Sequence, residues 1–187
     1  MNIRHTWNRF DTHRLKPSKG TLIRAGLTAI AILGVILIIR AHSPRRGSVP
    51  FTKEYSVSLI DYNGKSVRFE TFKQKNLIVF FWATWCPYCK AELTHLGELK
   101  AEYGDKLQII AVNRGESLAE AKAYSDALML PPGVTFLLDS NDGLFKQLKG
   151  YAVPETIFVN SRAEEVKHQH GPMKPPEVDA AVSKLFE

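Results

Sequence analysis

The stretch Leu77-Ile78-Val79-Phe80-Phe81-Trp82-Ala83-Thr84-Trp85-Cys86-Pro87-Tyr88-Cys89-Lys90-Ala91-Glu92 constrains this chain more than any other. Leu77 to Phe81 form a short apolar run, β-branched and aromatic, which is the pattern of a buried strand. Leu93, Leu96 and Leu99 then recur at three-residue spacing, the apolar stripe of a helix. Cys86 and Cys89 therefore fall where a strand turns into a helix. Pro87 suits the first helical position, where its missing N–H would have no partner anyway.

That placement has chemical consequences. Helix starts offer unpaired N–H groups and the positive end of the macrodipole, and both favour a thiolate over a thiol. Spacing of three puts the two sulfurs on one side of the first turn, within reach of a disulfide. Such a pair can cycle between dithiol and disulfide through a mixed disulfide with a substrate. The chain has two cysteines, so no second pair competes. A structural staple is the alternative, but bridging so short a loop removes little unfolded-state entropy.

Phe81 to Glu92 resembles the active-site stretch of membrane-tethered thioredoxin-like proteins of the TlpA/ResA/CcmG type. Val153-Pro154-Glu155-Thr156 is similar to the loop that holds the cis-proline of that family. With a hairpin ahead of the site, the likeness covers about three quarters of the chain. It implies a thiol–disulfide oxidoreductase working outside the cytoplasm, usually as a reductant, without a cofactor.

The formal charge of +6 first suggests a nucleic-acid partner. Residues 1–53 hold ten Lys/Arg and one acid, Asp11, so they carry +9 and leave −3 for the rest. The high pI therefore describes the flanks of an apolar segment and gives no support to DNA or RNA binding. From Ala25 to Ile39 the chain has no charge, with Arg24 and Arg40 at the ends. A span of 17–25 apolar residues crosses a bilayer as a helix, roughly, and this one is at the short end. We expect a basic cytoplasmic tail over 1–21, a transmembrane anchor over 22–40, a polar linker over 41–53 and one domain over 54–187. The greater basic charge ahead of the anchor places that domain outside, in a bacterial periplasm or equivalent space. A cleaved signal peptide ending near Ala41-His42-Ser43 competes with this reading, although Pro44 and the long charged stretch before the apolar run argue against it.

In the domain, Asp61-Tyr62-Asn63-Gly64-Lys65 predicts a hairpin turn, since Asn63 and Gly64 both tolerate positive φ. Strands are expected at 77–82, 107–112, 134–138, 156–159 and 165–168. Helices are expected at about 87–103, 116–129 (with Ser117 as cap and Ala119, Ala123 and Ala127 at four-residue spacing), 144–148 and from Pro175-Pro176 onward. Strands alternating with helices, ending in a hairpin and a helix, indicate an α/β thioredoxin-like fold: a central mixed sheet with helices on both faces.

Roles follow at the site. Cys86 is expected as the exposed nucleophile and Cys89, deeper, as the resolving thiol. Glu92, three residues beyond Cys89 and so on the same helix face, is the candidate proton acceptor, its pKa raised by partial burial. ResA-like members carry a glutamate at that offset. Thioredoxins proper carry a buried aspartate six residues before the first cysteine, and Phe80 stands there instead. A cis bond at Pro154 would turn the Val153 backbone outward to pair with an extended substrate. Trp85, Pro87 and Tyr88 complete the expected substrate-binding surface. Pro154-Glu155-Thr156 is similar to CcmG-type members, which serve cytochrome c maturation. The partners implied are disulfide-bearing client proteins, with apocytochrome c among them, and an upstream membrane thiol donor.

Two other readings stand beside this one. The same scaffold can donate disulfides instead of reducing them. In a different class, the thiols with His95, His168 or His170 could carry Cu(I), as in Sco-type proteins of this fold. Those have three residues between their thiols, whereas Cys86 and Cys89 have two, Pro87 and Tyr88. We assign no metal ligands on the sequence, and read His168 and His170 as solvent-exposed at a strand end.

Overall fold

The computed structural model describes residues 32–35, 57–72 and 75–187. The chain divides into two compact units, 1–47 and 48–187, each treated by itself. Of the first, Ile32 to Val35 are helical. The rest of the expected anchor, the tail and the linker lie outside the described residues. Among the described residues no helix is long and apolar enough to cross a membrane.

The second unit is built on a seven-stranded sheet in the order β2-β1-β5-β4-β3-β6-β7. Its strands are β1 (Ser58–Asp61), β2 (Ser66–Arg68), β3 (Asn76–Trp82), β4 (Leu107–Arg114), β5 (Thr135–Asp139), β6 (Glu155–Val159) and β7 (Glu165–His170). The α-helices are α1 (Cys89–Tyr103), α2 (Leu118–Ala127), α3 (Gly143–Gln147) and α4 (Pro175–Ser183). β3, β4 and β5 are parallel neighbours, while β6 and β7 return antiparallel on one side and β1 and β2 on the other. The mixed sheet is the one expected.

Chirality explains the layering. β3-α1-β4 and β4-α2-β5 step in the same direction across the sheet, and right-handed crossovers then put both helices on one face. Leu93, Leu96 and Leu99 of α1, Ala121 of α2 and Val178, Ala181 and Val182 of α4 share a core with Ile78, Phe80 and Trp82. Alternate residues of β3, Leu77, Val79 and Phe81, face the other way and pack with Leu144 and Phe145 of α3 and with Phe69. Every residue of β3 is buried, as its continuous apolar run requires.

Three local expectations are corrected. In the β1–β2 turn the positive φ falls on Gly64 but not on Asn63. The Asp61 carboxylate accepts from the Asn63 and Lys65 N–H groups at 2.9 and 2.8 Å, closing the expected hairpin turn over 61–65. Ser117 caps α2 in a reciprocal box with Glu120, yet the buried face of that helix runs through Ala121 and Ser125, while Ala119, Ala123 and Ala127 are exposed. Tyr124 decides the rotation, because it stacks on Trp82 at 5.6 Å between ring centroids. Finally, α1 begins at Cys89 with Tyr88 as its N-cap, so Pro87 lies in the preceding turn and not at the first helical position.

Candidate active site

β3 ends at Trp82, and the chain then turns twice before α1. The Cys86 N–H donates to the Ala83 carbonyl at 3.2 Å and the Cys89 N–H to the Cys86 carbonyl at 3.4 Å. Cys86 and Cys89 are joined as a disulfide, with an S–S distance of 2.05 Å. The structure is therefore that of the oxidised protein. Cys86 is only 2% exposed, against the expectation of an exposed nucleophile. Trp85 and Tyr88, at 64% and 61% exposed, stand on either side of it in sequence and carry the accessible apolar surface instead. Trp82, by contrast, is wholly inside the core.

Glu92 lies one helical turn beyond Cys89 and is 4% exposed. Thr156 Oγ1 donates to its Oε1 at 2.7 Å, and the Met173 backbone N–H donates to its Oε2 at 3.1 Å. Burial pushes its pKa up, and the two hydrogen bonds oppose that shift only in part. A carboxyl so placed holds a proton more readily than a solvated one. It lines a pocket of about 160 Å³ with Pro87, Tyr88 and Val178 among the other walls, so its proton has a way to solvent. Phe80, at the position of the thioredoxin aspartate, is buried beside the cysteines and supplies no acid there.

The Val153–Pro154 peptide bond is cis, as the resemblance implied. Among the described residues, none of the turn and loop backbone hydrogen bonds involves Val153, whereas the Pro154 carbonyl accepts from the Gly171 N–H at 3.0 Å.

Sequence reasoning missed one acid beside the turn. Glu116 accepts from the Thr84 N–H at 2.9 Å, from the Thr84 hydroxyl, and from Asn113 Nδ2 at 2.6 Å. It ties the residue two before Cys86 to the end of β4. Only the parallel pairing of β3 with β4, which aligns Trp82 with Asn113, brings these groups together.

Among the described residues, the histidines do not gather around the sulfurs. His95 Nε2 lies 2.7 Å from Asp179 Oδ1 on α4. His168 and His170 lie on β7 opposite Glu155 of β6; His170 is exposed, as expected, whereas His168 is half-buried, with its Nε2 2.6 Å from the fully buried Glu155.

The Redoxin family matches residues 48–185. ResA of Halalkalibacterium halodurans, a thiol-disulfide oxidoreductase, is 31% identical over 119 residues, covering 62% of this chain and 65% of that one. ResA of Bacillus subtilis is 26% identical over 164 residues, covering 85% and 89%. This chain therefore spans just under two thirds of the first relative's length and most of the second's. Among solved structures, MTB dsbF in its mixed oxidized and reduced forms superposes with a TM-score of 0.65 at 21% identity, covering 74% of this chain and 99% of that one. This likeness shows the fold. With a family match across the whole folded unit and a disulfide at the head of α1, the chain belongs to the redoxin family. Within it, this is a thioredoxin-like thiol–disulfide oxidoreductase of the TlpA/ResA/CcmG type.

Proposed function

We propose that this chain is a membrane-anchored, extracytoplasmic reductant of disulfides in client proteins. One observation carries the reading: a buried carboxyl, Glu92, sits one turn from the resolving Cys89, with its protonated form favoured by burial. In the reduced protein the Cys86 thiolate attacks one sulfur of a client disulfide. A mixed disulfide forms and the other client sulfur leaves as a thiolate. Cys89 then gives its proton to the Glu92 carboxylate and attacks Cys86 Sγ. The second client sulfur departs, and two electrons have passed to the client, leaving Cys86–Cys89 oxidised as observed here.

The Val153 backbone, together with Trp85, Pro87 and Tyr88, offers an extended client segment a strand partner and an apolar wall. The uncharged run from Ala25 to Ile39 and the basic residues ahead of it support the anchor and the outward orientation. Pro154-Glu155-Thr156 makes apocytochrome c the first client to try. A membrane thiol donor would restore the dithiol.

The test is trapping by full-length Cys89→Ser in membranes. It should hold client proteins as thiol-sensitive adducts on Cys86 that Cys86→Ser fails to form; absence of any adduct would sink the reading. Direction is read from the reduction potential, since thioredoxin-like proteins span about −270 to −120 mV. A value at the oxidising end would make the protein a disulfide donor.

A further inference from the structure

The β6–β7 hairpin carries a second cluster, on the face of the sheet away from the disulfide. Its register pairs Glu155 with His170 and Ile157 with His168. Alternation along the strands therefore puts Glu155, His168 and His170 on one face. Glu155 also pairs with Phe81, whose ring belongs to the core layer under α3. The next residue, Thr156, points the opposite way and reaches Glu92. The cluster and the cysteines are separated by the sheet itself.

In this cluster the carboxylate of Glu155 is fully buried. Its Oε1 is 2.6 Å from His168 Nε2. Its Oε2 is 3.3 Å from His170 Nδ1 but out of line for a hydrogen bond, so that buried oxygen has no hydrogen-bond partner. The two imidazole rings lie 4.4 Å apart between centroids. One ligand atom from each of the three residues lies within 4.8 Å of the others. Left alone, the arrangement is awkward. An unsatisfied buried carboxylate oxygen is costly. A bound divalent ion removes that cost, because it takes the carboxylate oxygen together with one nitrogen from each imidazole. Arg114 is the nearby cation, and Asp142 already holds it by paired contacts of 3.0 and 2.7 Å.

We infer that Glu155, His168 and His170 form a three-ligand site for a divalent transition metal of the zinc type. Two nitrogens and one carboxylate oxygen suit Zn²⁺, Co²⁺ or Ni²⁺ over Ca²⁺ and Mg²⁺, which take oxygen ligands, and over Cu(I), which prefers sulfur. The His170 side chain is 40% exposed and gives the ion its entry from solvent. With three protein ligands, a fourth position stays open to water. The ion would pin edge strand β7 to β6 at the end where Gly171 already bonds Pro154. This inference stands apart from the redox reading.

The experiment is a zinc chloride titration of the oxidised full-length chain, followed by calorimetry and thermal unfolding. The disulfide keeps both sulfurs out of competition. One ion per chain should bind, and the unfolding temperature should rise. Loss of an outer partner weakens metal sites about 10–100-fold, so His168→Ala and His170→Ala, which remove ligands, should each cost at least about tenfold in affinity. Equal binding by the parent and both variants would place the ion elsewhere and overturn the assignment. So would an absence of saturable binding, or binding that appears only after the disulfide is reduced. Co²⁺ added in place of zinc should give visible bands without sulfur-to-metal charge transfer; a charge-transfer band would also count against the site.

Discussion

Thr156 Oγ1 donates a 2.7 Å hydrogen bond to Glu92 Oε1, joining strand β6, two residues past the cis-proline, to the first turn of the active-site helix. The two partners are 64 positions apart in the chain. The bond fixes the direction of the carboxyl and lowers its pKa against the larger effect of burial. In the proposed reaction, proton transfer from Cys89 to Glu92 and the placement of Pro154 are thus coupled through one hydroxyl.

Removing that hydroxyl is the direct test. Thr156→Val keeps the shape and leaves Glu92 Oε1 without its donor. A hydrogen bond to a charged group contributes about 1.5–3 kcal/mol. Denaturant unfolding near neutral pH should show a loss of that order. The Glu92-dependent limb of the pH–rate profile for client reduction should move to higher pH.

The sign of the pH dependence at Glu92 follows from its raised pKa. The folded protein binds this proton more tightly than the unfolded chain. The stability it contributes is complete below the ordinary carboxylate value, 4.5, and is lost as pH rises through the folded value. Glu92→Gln removes the ionisation. Its unfolding temperature, compared with that of the parent, should improve as pH rises above 4.5. The same variant should slow client reduction near neutral pH. A difference in unfolding temperature that stays flat with pH would show that Glu92 does not titrate in this range.

Glu116 should matter to the turn before Cys86 although it touches neither sulfur. Glu116→Gln keeps one acceptor but turns an NH₂ group toward donors that the carboxylate now satisfies. The expected cost is about 1–3 kcal/mol. Thr84→Val removes the hydroxyl partner alone, so a double-mutant cycle between the two should be non-additive. Additive losses would mean that the contact carries no coupling.

Much of the molecule was legible in the chain because the signals are local. The apolar run of β3, the leucine stripe of α1, the Ser117 cap and the Pro175-Pro176 start of α4 each declare an element through its own side chains. Cys86 and Cys89 are near neighbours in one turn, so their pairing needed no distant contact. The rotation of α2 was not legible for the opposite reason. Alanine spacing fits several faces of a helix, and only the Trp82–Tyr124 stack selects one. The near-complete burial of Cys86 likewise depends on how the turn closes over the oxidised pair.

The sequence by itself determined the strand-to-helix dithiol, the acid one turn further in and the alternation of elements that makes this sheet, because each depends on residues within a few positions of one another. Tertiary structure alone decided which groups surround those parts: Thr156 and Met173 on Glu92, Glu116 on Thr84, and Glu155 between His168 and His170. The physical reason is that a carboxylate's partners and desolvation are set by strands and loops brought together from across the chain, and nothing in the spacing of neighbouring residues records them.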